Sequence, residues 1–88
     1  MCSHNSTLLK IDVYTEIYTL QPNSVREIDV VKPINSDPLF TVCNINVNNP
    51  SVYSACVTKS NKTGFSISIV NNTGQIVNIP INVARFYI

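Results

Sequence analysis

Gly64-Phe65-Ser66-Ile67-Ser68-Ile69-Val70-Asn71-Asn72-Thr73-Gly74-Gln75-Ile76-Val77-Asn78-Ile79-Pro80-Ile81-Asn82-Val83 is the stretch whose reading decides the fold. Phe65, Ile67 and Ile69 alternate with Ser66 and Ser68, the period-two pattern of a half-buried strand. Val77, Ile79, Ile81 and Val83 form a second apolar set, separated by Asn78, Pro80 and Asn82. A β-hairpin closed by Asn72-Thr73-Gly74, with Gly74 at positive φ and a G1 bulge, pairs Ile69 with Val77, Ile67 with Ile79 and Phe65 with Ile81. That register puts both apolar sets on one face, whereas a one-residue slip inverts a strand. Pro80 then falls on the outer face, where its missing N–H argues for a local edge or bulge.

Outward from this stretch, the alternation continues. Residues 8–20 place Ile11, Val13 and Ile17 on one face and Lys10, Asp12, Tyr14, Glu16 and Tyr18 on the other, with a possible bend near Thr15. On this pattern Asp12 and Glu16 are expected to point to solvent. Gln21-Pro22-Asn23-Ser24 breaks the strand, and residues 25–31 resume with Arg26, Ile28 and Val30 on a shared face. The two-proline segment 32–38 is a connection between sheets or a surface loop. Residues 39–47 and 52–59 read as strands around the turn Asn48-Asn49-Pro50-Ser51, which sets Cys43 opposite Cys56. No segment shows helical periodicity. Six antiparallel strands with turn signals between them predict an all-β sandwich or small barrel over residues 8–88, preceded by a loose tail at 1–7.

Composition narrows the function classes. The 88 residues are 44% hydrophobic, dominated by Val and Ile, and only 12% charged, with a net charge of +1. A polar but nearly uncharged coat is a weak barrier to self-association where sheet edges are exposed, so a homo-oligomer is expected. Scattered Lys and Arg give no basic patch for nucleic acid, and no apolar run is long enough to span a membrane as a helix. The start of the chain shows neither the basic nor the apolar region of a signal peptide, so synthesis and folding in the cytosol are expected. Cys2, Cys43 and Cys56 show no metal-ligand spacing; as a cross-strand pair, Cys43 and Cys56 read as buried thiols rather than a bridge. The sequons at Asn5, Asn61 and Asn71 are chance matches in a chain rich in Asn, Ser and Thr.

Catalytic chemistry has few residues to draw on. The one histidine, His4, lies in the tail, and the five acids show no pairing. Two glycines, both used in turns, leave no phosphate cradle. No cofactor or metal is implied, and a non-enzymatic role is expected. Tyr14 and Tyr18, four residues apart on one strand face, suit either a stacked sugar or a subunit contact. Asn48 and Asn49 beside Tyr53 offer amides next to an aromatic ring, a combination suited to sugar hydroxyls, though Asn-Pro is also a plain turn.

The run Ala55-Cys56-Val57-Thr58-Lys59-Ser60-Asn61-Lys62-Thr63-Gly64-Phe65-Ser66-Ile67-Ser68-Ile69, followed by Ile79-Pro80-Ile81-Asn82-Val83-Ala84-Arg85-Phe86, resembles the end of an H-type lectin domain. It equally resembles the head domains of phage tail-fibre and receptor-binding proteins. The resemblance covers residues 39–88. It implies a six-stranded antiparallel sandwich, jelly-roll or H-type-lectin-like, that forms homotrimers and binds cell-surface saccharide. A structural, decoration or assembly protein of a phage particle, contacting another virion protein, is the alternative it leaves open. Either way it implies a place in the virion or the host cytoplasm. Phe86 stands where these families usually carry Trp, and no sugar-binding position matches residue by residue.

Overall fold

The computed structural model describes residues 8–46 and 52–88. The expected tail at 1–7, with Cys2 and His4, and the turn residues Asn48 and Asn49 lie outside the described residues. Six strands appear: β1 (Lys10–Leu20), β2 (Ser24–Val31), β3 (Phe40–Ile45), β4 (Tyr53–Asn61), β5 (Gly64–Asn71) and β6 (Val77–Tyr87). They form two three-stranded antiparallel sheets, ordered β1-β6-β3 and β2-β5-β4. The all-β reading holds, and the arrangement is that of a sandwich.

The predicted β5–β6 hairpin does not form. β5 is the centre of one sheet and β6 the centre of the other. Their apolar sets do share one interior: Phe65, Ile67 and Ile69 meet Ile79, Ile81 and Val83 in a single buried cluster with Leu20. Alternation specifies which face of a strand is apolar, but not which strand lies beside it. Two such faces are buried equally well side by side in one sheet or opposed across a sandwich.

The β5–β6 connection follows from that difference. Residues 72–76 carry the chain from one sheet to the other, and neither glycine has positive φ. Gly74 therefore plays no left-handed turn role. Asn71, fully buried, organises the crossing instead. Its Oδ1 accepts from the amide and hydroxyl of Thr73 at 2.9 and 2.7 Å, and its Nδ2 donates to the carbonyls of Gln21 and Gln75 at 3.0 and 2.9 Å. Both amide hydrogens and the carbonyl are thus satisfied, the condition for burying a polar side chain. The adjoining β1–β2 turn needs the left-handed region, and Asn23 supplies it at φ 48°. The Asn23 amide donates to Thr73 O at 2.9 Å, tying the two crossings together.

Gly64 is required for a different reason. It pairs with Val31 of β2, and a Cβ built on it falls 2.0 Å from the Val30 carbonyl oxygen. Only a residue without a side chain lets the two backbones approach this closely. Pro80 is also accommodated. The last β3 pair is Ile45 with Ile81, and the Pro80 carbonyl accepts from Asn46 N just past it, so the missing N–H falls where β3 ends.

β3 and β4 are not paired either. They are edge strands of opposite sheets, so Cys43 and Cys56 are not cross-strand neighbours; both are free thiols, the first half-buried and the second exposed. Thr41 and Ser60 hydroxyls, 2.7 Å apart, join the two edges on this side. On the other side Arg26 donates to Thr19 O at 2.8 Å and lies 5.3 Å from the Tyr18 ring.

Candidate functional site

The largest departure from the sequence reading concerns the first strand. Residues directly opposite in an antiparallel pair point to the same face. Because β1 pairs with β6 as Tyr14 with Val83 and Tyr18 with Ile79, the tyrosines turn inward with the core side of β6. The apolar set goes outward: Ile11 opposite Phe86, Val13 opposite Ala84 and Ile17 opposite Pro80. Ile11 is 58% exposed and Val13 59%. Burial of Leu20, on the same face as Tyr14 and Tyr18, fixes this orientation.

What draws the polar face of β1 inside is a buried cation. Arg85 continues the inward set of β6, two residues beyond Val83, and is 0% exposed. Its Nε and Nη2 donate to Asp12 Oδ2 at 3.1 and 2.8 Å, its Nη1 to Asn61 O at 2.9 Å, and Nη2 also to Lys32 O at 2.5 Å. The guanidinium lies 5.1 Å from the centre of the Phe65 ring. Lys32 Nζ meets the other oxygen of Asp12 at 2.8 Å and the Val13 carbonyl at 2.7 Å. Burial pushes the Asp12 carboxyl up, but hydrogen bonds and charge from Lys32 and Arg85 outweigh it and hold the group below its ordinary range. The expectation that Asp12 points to solvent is therefore corrected, while Glu16 is exposed. The cluster joins β1, β6, the end of β2 and the end of β4. With the Asp12 oxygens engaged by two cations, it is a structural tie rather than an acid or base.

Tyr14 and Tyr18 also have interior roles. Their hydroxyls hydrogen-bond to each other, and the Tyr14 ring stands edge-on to Phe65 with centroids 5.2 Å apart. Burial, then the bond from Tyr14, raise the Tyr18 pKa well above that of a free phenol. The two rings thus stand between the sheets, not on the open polar face expected of them. Tyr53 is half-buried against the core at the start of β4, opposite Asn71. The amide of neighbouring Asn72 donates to Val52 O at 2.9 Å. Asn48 and Asn49 lie outside the described residues. Burial raises the Cys43 thiol, with a further contribution from Cys56. Among the described residues no three His, Cys, Asp or Glu side chains converge to hold a metal ion.

Two surface features remain. One is a hollow of about 380 Å³ on the β2-β5-β4 sheet, lined in part by Asp29, Lys59, Asn61, Thr63, Gly64 and Ser66. Ser66 donates to Asp29 at 2.5 Å within this lining. The other is the outer face of the β1-β6-β3 sheet. Its pairs form successive rows: Ile11, Phe86 and Phe40; Val13, Ala84 and Val42; then Thr15, Asn82 and Asn44. Phe40 and Phe86 stack with centroids 4.4 Å apart. Below them Thr15 donates to Asn82 at 3.0 Å and Thr19 to Asn78 at 2.7 Å. No residue of these rows is charged. The face is therefore apolar in the half that carries Phe40 and Phe86, and in the other half neutral amides and hydroxyls flank the Ile17–Pro80 pair. Comparison with known proteins finds no matching family model, no matching curated protein and no matching solved structure.

Sequence reasoning missed the ion cluster and this face, although both left signals. Arg85 stands alone as a cation on the parity of Ile79, Ile81 and Val83, which demands a carboxylate on a facing strand. Ala84 and Phe86 share the opposite parity of the same strand.

Proposed function

We propose that this chain is a non-enzymatic protein–protein interaction module, a structural or assembly component of a phage particle, and that it docks through the outer face of the β1-β6-β3 sheet. The observation that carries the docking is the exposed apolar half of that face. A contiguous apolar patch of several hundred Å² on a small domain marks an interaction surface rather than ordinary surface scatter. The phage setting comes from the resemblance of residues 39–88 to phage head domains, as does the jelly-roll or H-type-lectin-like form of the sandwich; the homotrimer that the resemblance also implies is one outcome of a mass measurement on the associated chain. Docking is tested by co-sedimentation of the tagged chain with particles. The reading expects the wild type to travel with them and Val42→Lys to remain in the supernatant; equal behaviour of the two overturns it.

A second reading, saccharide recognition, is favoured by the neutral hydroxyls and amides of Asn61, Thr63 and Ser66 beside the Asp29 carboxylate in the hollow. Tyr53, with Asn48 and Asn49 a few residues before it in the sequence, is the second candidate place for a sugar. Binding on a glycan array that survives Val42→Lys but disappears on Tyr53→Ala or Ser66→Lys supports this reading, and an array without signal removes it.

A further inference from the structure

We infer that the occupant of the apolar sheet face is the same face of a second copy of this chain, related by a two-fold axis. The inference rests on the reading of that face as a docking surface and names its partner.

The first argument is charge. Near the axis of an isologous pair each residue approaches its own symmetry mate, so any charge there meets a like charge. The rows running from Ile11-Phe86-Phe40 to Thr19-Asn78 carry none, although the chain has eleven Lys, Arg, Asp and Glu residues by the sum of six and five. A face of that length without charge is the chemistry that self-pairing requires. A different protein partner is better recognised through opposed charges, which steer and register such encounters.

The second argument is area. Ile11, Val13, Phe40 and Val42 are 58%, 59%, 52% and 48% exposed. Together with the partly exposed Ala84 and Phe86, they present roughly 500 Å² of apolar surface, against about 800 Å² per partner in a standard interface. Pairing these apolar halves alone therefore buries about 1,000 Å² in total, the level a specific interface has to reach.

The third argument is shape. The stacked Phe40–Phe86 pair stands beside the smaller row of Val13, Ala84 and Val42. A two-fold axis lying between the facing sheets, running across the strands and passing between these rows, sets the phenylalanines of each copy over the Ala84 and Val42 of the other. Sheets stacked in this way lie about 10 Å apart. A three-fold axis parallel to the strands sets Phe against Phe and Ala against Ala, which leaves a void at Ala84. Face-to-face pairing also leaves the Thr and Asn rows of each copy projecting beyond the overlap, in contact with water.

Sedimentation equilibrium over a hundredfold concentration range tests the inference on four proteins: the wild type, Val42→Lys, Ala84→Phe, and Val25→Lys on the outer face of the other sheet. All four proteins are compared by thermal melt, and Val13→Lys on the opposite edge strand replaces Val42→Lys if that variant does not fold. The expected result is a monomer–dimer equilibrium for the wild type and Val25→Lys, weakened at least tenfold in Val42→Lys and Ala84→Phe. A three-chain mass, or a dimer indifferent to both substitutions, overturns the two-fold pairing and leaves the docking reading standing. A wild type that is monomeric throughout but still co-sediments with particles likewise overturns only the pairing. A monomer that docks to nothing overturns both.

Discussion

Replacing Asp12 by Ala removes the only carboxylate, among the described residues, that is bonded to Arg85, a guanidinium with no contact with water. Arg85 keeps its carbonyl partners, Asn61 and Lys32, but loses two hydrogen bonds and its counter-charge. Breaking a buried ion pair from one side costs about 3–5 kcal/mol, because the charge left behind is neither paired nor hydrated. The lower end applies here: the Asp12 side chain is 15% exposed, so some water reaches the vacated site, and Lys32 at 35% can rehydrate. Against a total stability of about 4–13 kcal/mol for a chain of this length, a loss of about 3 kcal/mol is severe. With an m-value of about 1 kcal/mol/M in urea, the unfolding midpoint falls by about 3 M. Equilibrium urea unfolding followed by tyrosine fluorescence measures it. Asp12→Asn keeps an acceptor in place and should lose less. The double variant Asp12→Leu with Arg85→Met removes both charges and should be more stable than Asp12→Ala alone. A loss under about 1 kcal/mol for Asp12→Ala, or simple additivity of Asp12→Leu and Arg85→Met measured singly and together, refutes the buried tie.

Three further outcomes follow from the same geometry. The folded-state pKa of Asp12 lies below its ordinary value of 3.8, so its contribution is complete above that value and disappears as pH falls through the lower, folded one. The wild type should therefore lose more stability between pH 6 and pH 3 than Asp12→Asn does, in paired urea titrations at each pH. Gly64→Ala drives a methyl group into the Val30 carbonyl at 2.0 Å, and should cost at least about 2 kcal/mol or leave the chain unfolded by circular dichroism. Asn71→Ala empties a fully buried site and removes its bonds to the Gln21 and Gln75 carbonyls and the Thr73 amide, for a loss of about 1–3 kcal/mol in the melting transition.

How much of this was legible in the sequence depended on the kind of information involved. Alternation at Phe65, Ile67 and Ile69 and at Ile79, Ile81 and Val83 identified the core residues, because burial acts on each strand separately. Pairing partners were not legible. The Asn72-Thr73-Gly74 segment fits a tight turn as well as it fits a crossing, and the buried amide of Asn71 decides between them through contacts with residues fifty positions away. For β1 the alternation is legible in the sequence and its orientation is not. Ile11, Val13 and Ile17 form the more hydrophobic face, yet Arg85 and Phe65 inside the sandwich select the face carrying Asp12 and Tyr14. Tyr14 and Tyr18, attractive as a sugar platform on an open strand, are used to fill the gap between sheets. The same inversion left Ile11 and Val13 outside, which produced the proposed docking face.

Methyl NMR on dilution tests that face most directly. With the Ile and Val methyl groups labelled, the account predicts that lowering the concentration shifts Ile11, Val13 and Val42 and opens them to a soluble paramagnetic agent, while Val25 and Val31 on the other sheet keep their shifts. Dilution shifts centred on Val25 and Val31, or Ile11 and Val13 methyls shielded from the agent at every concentration, would contradict it.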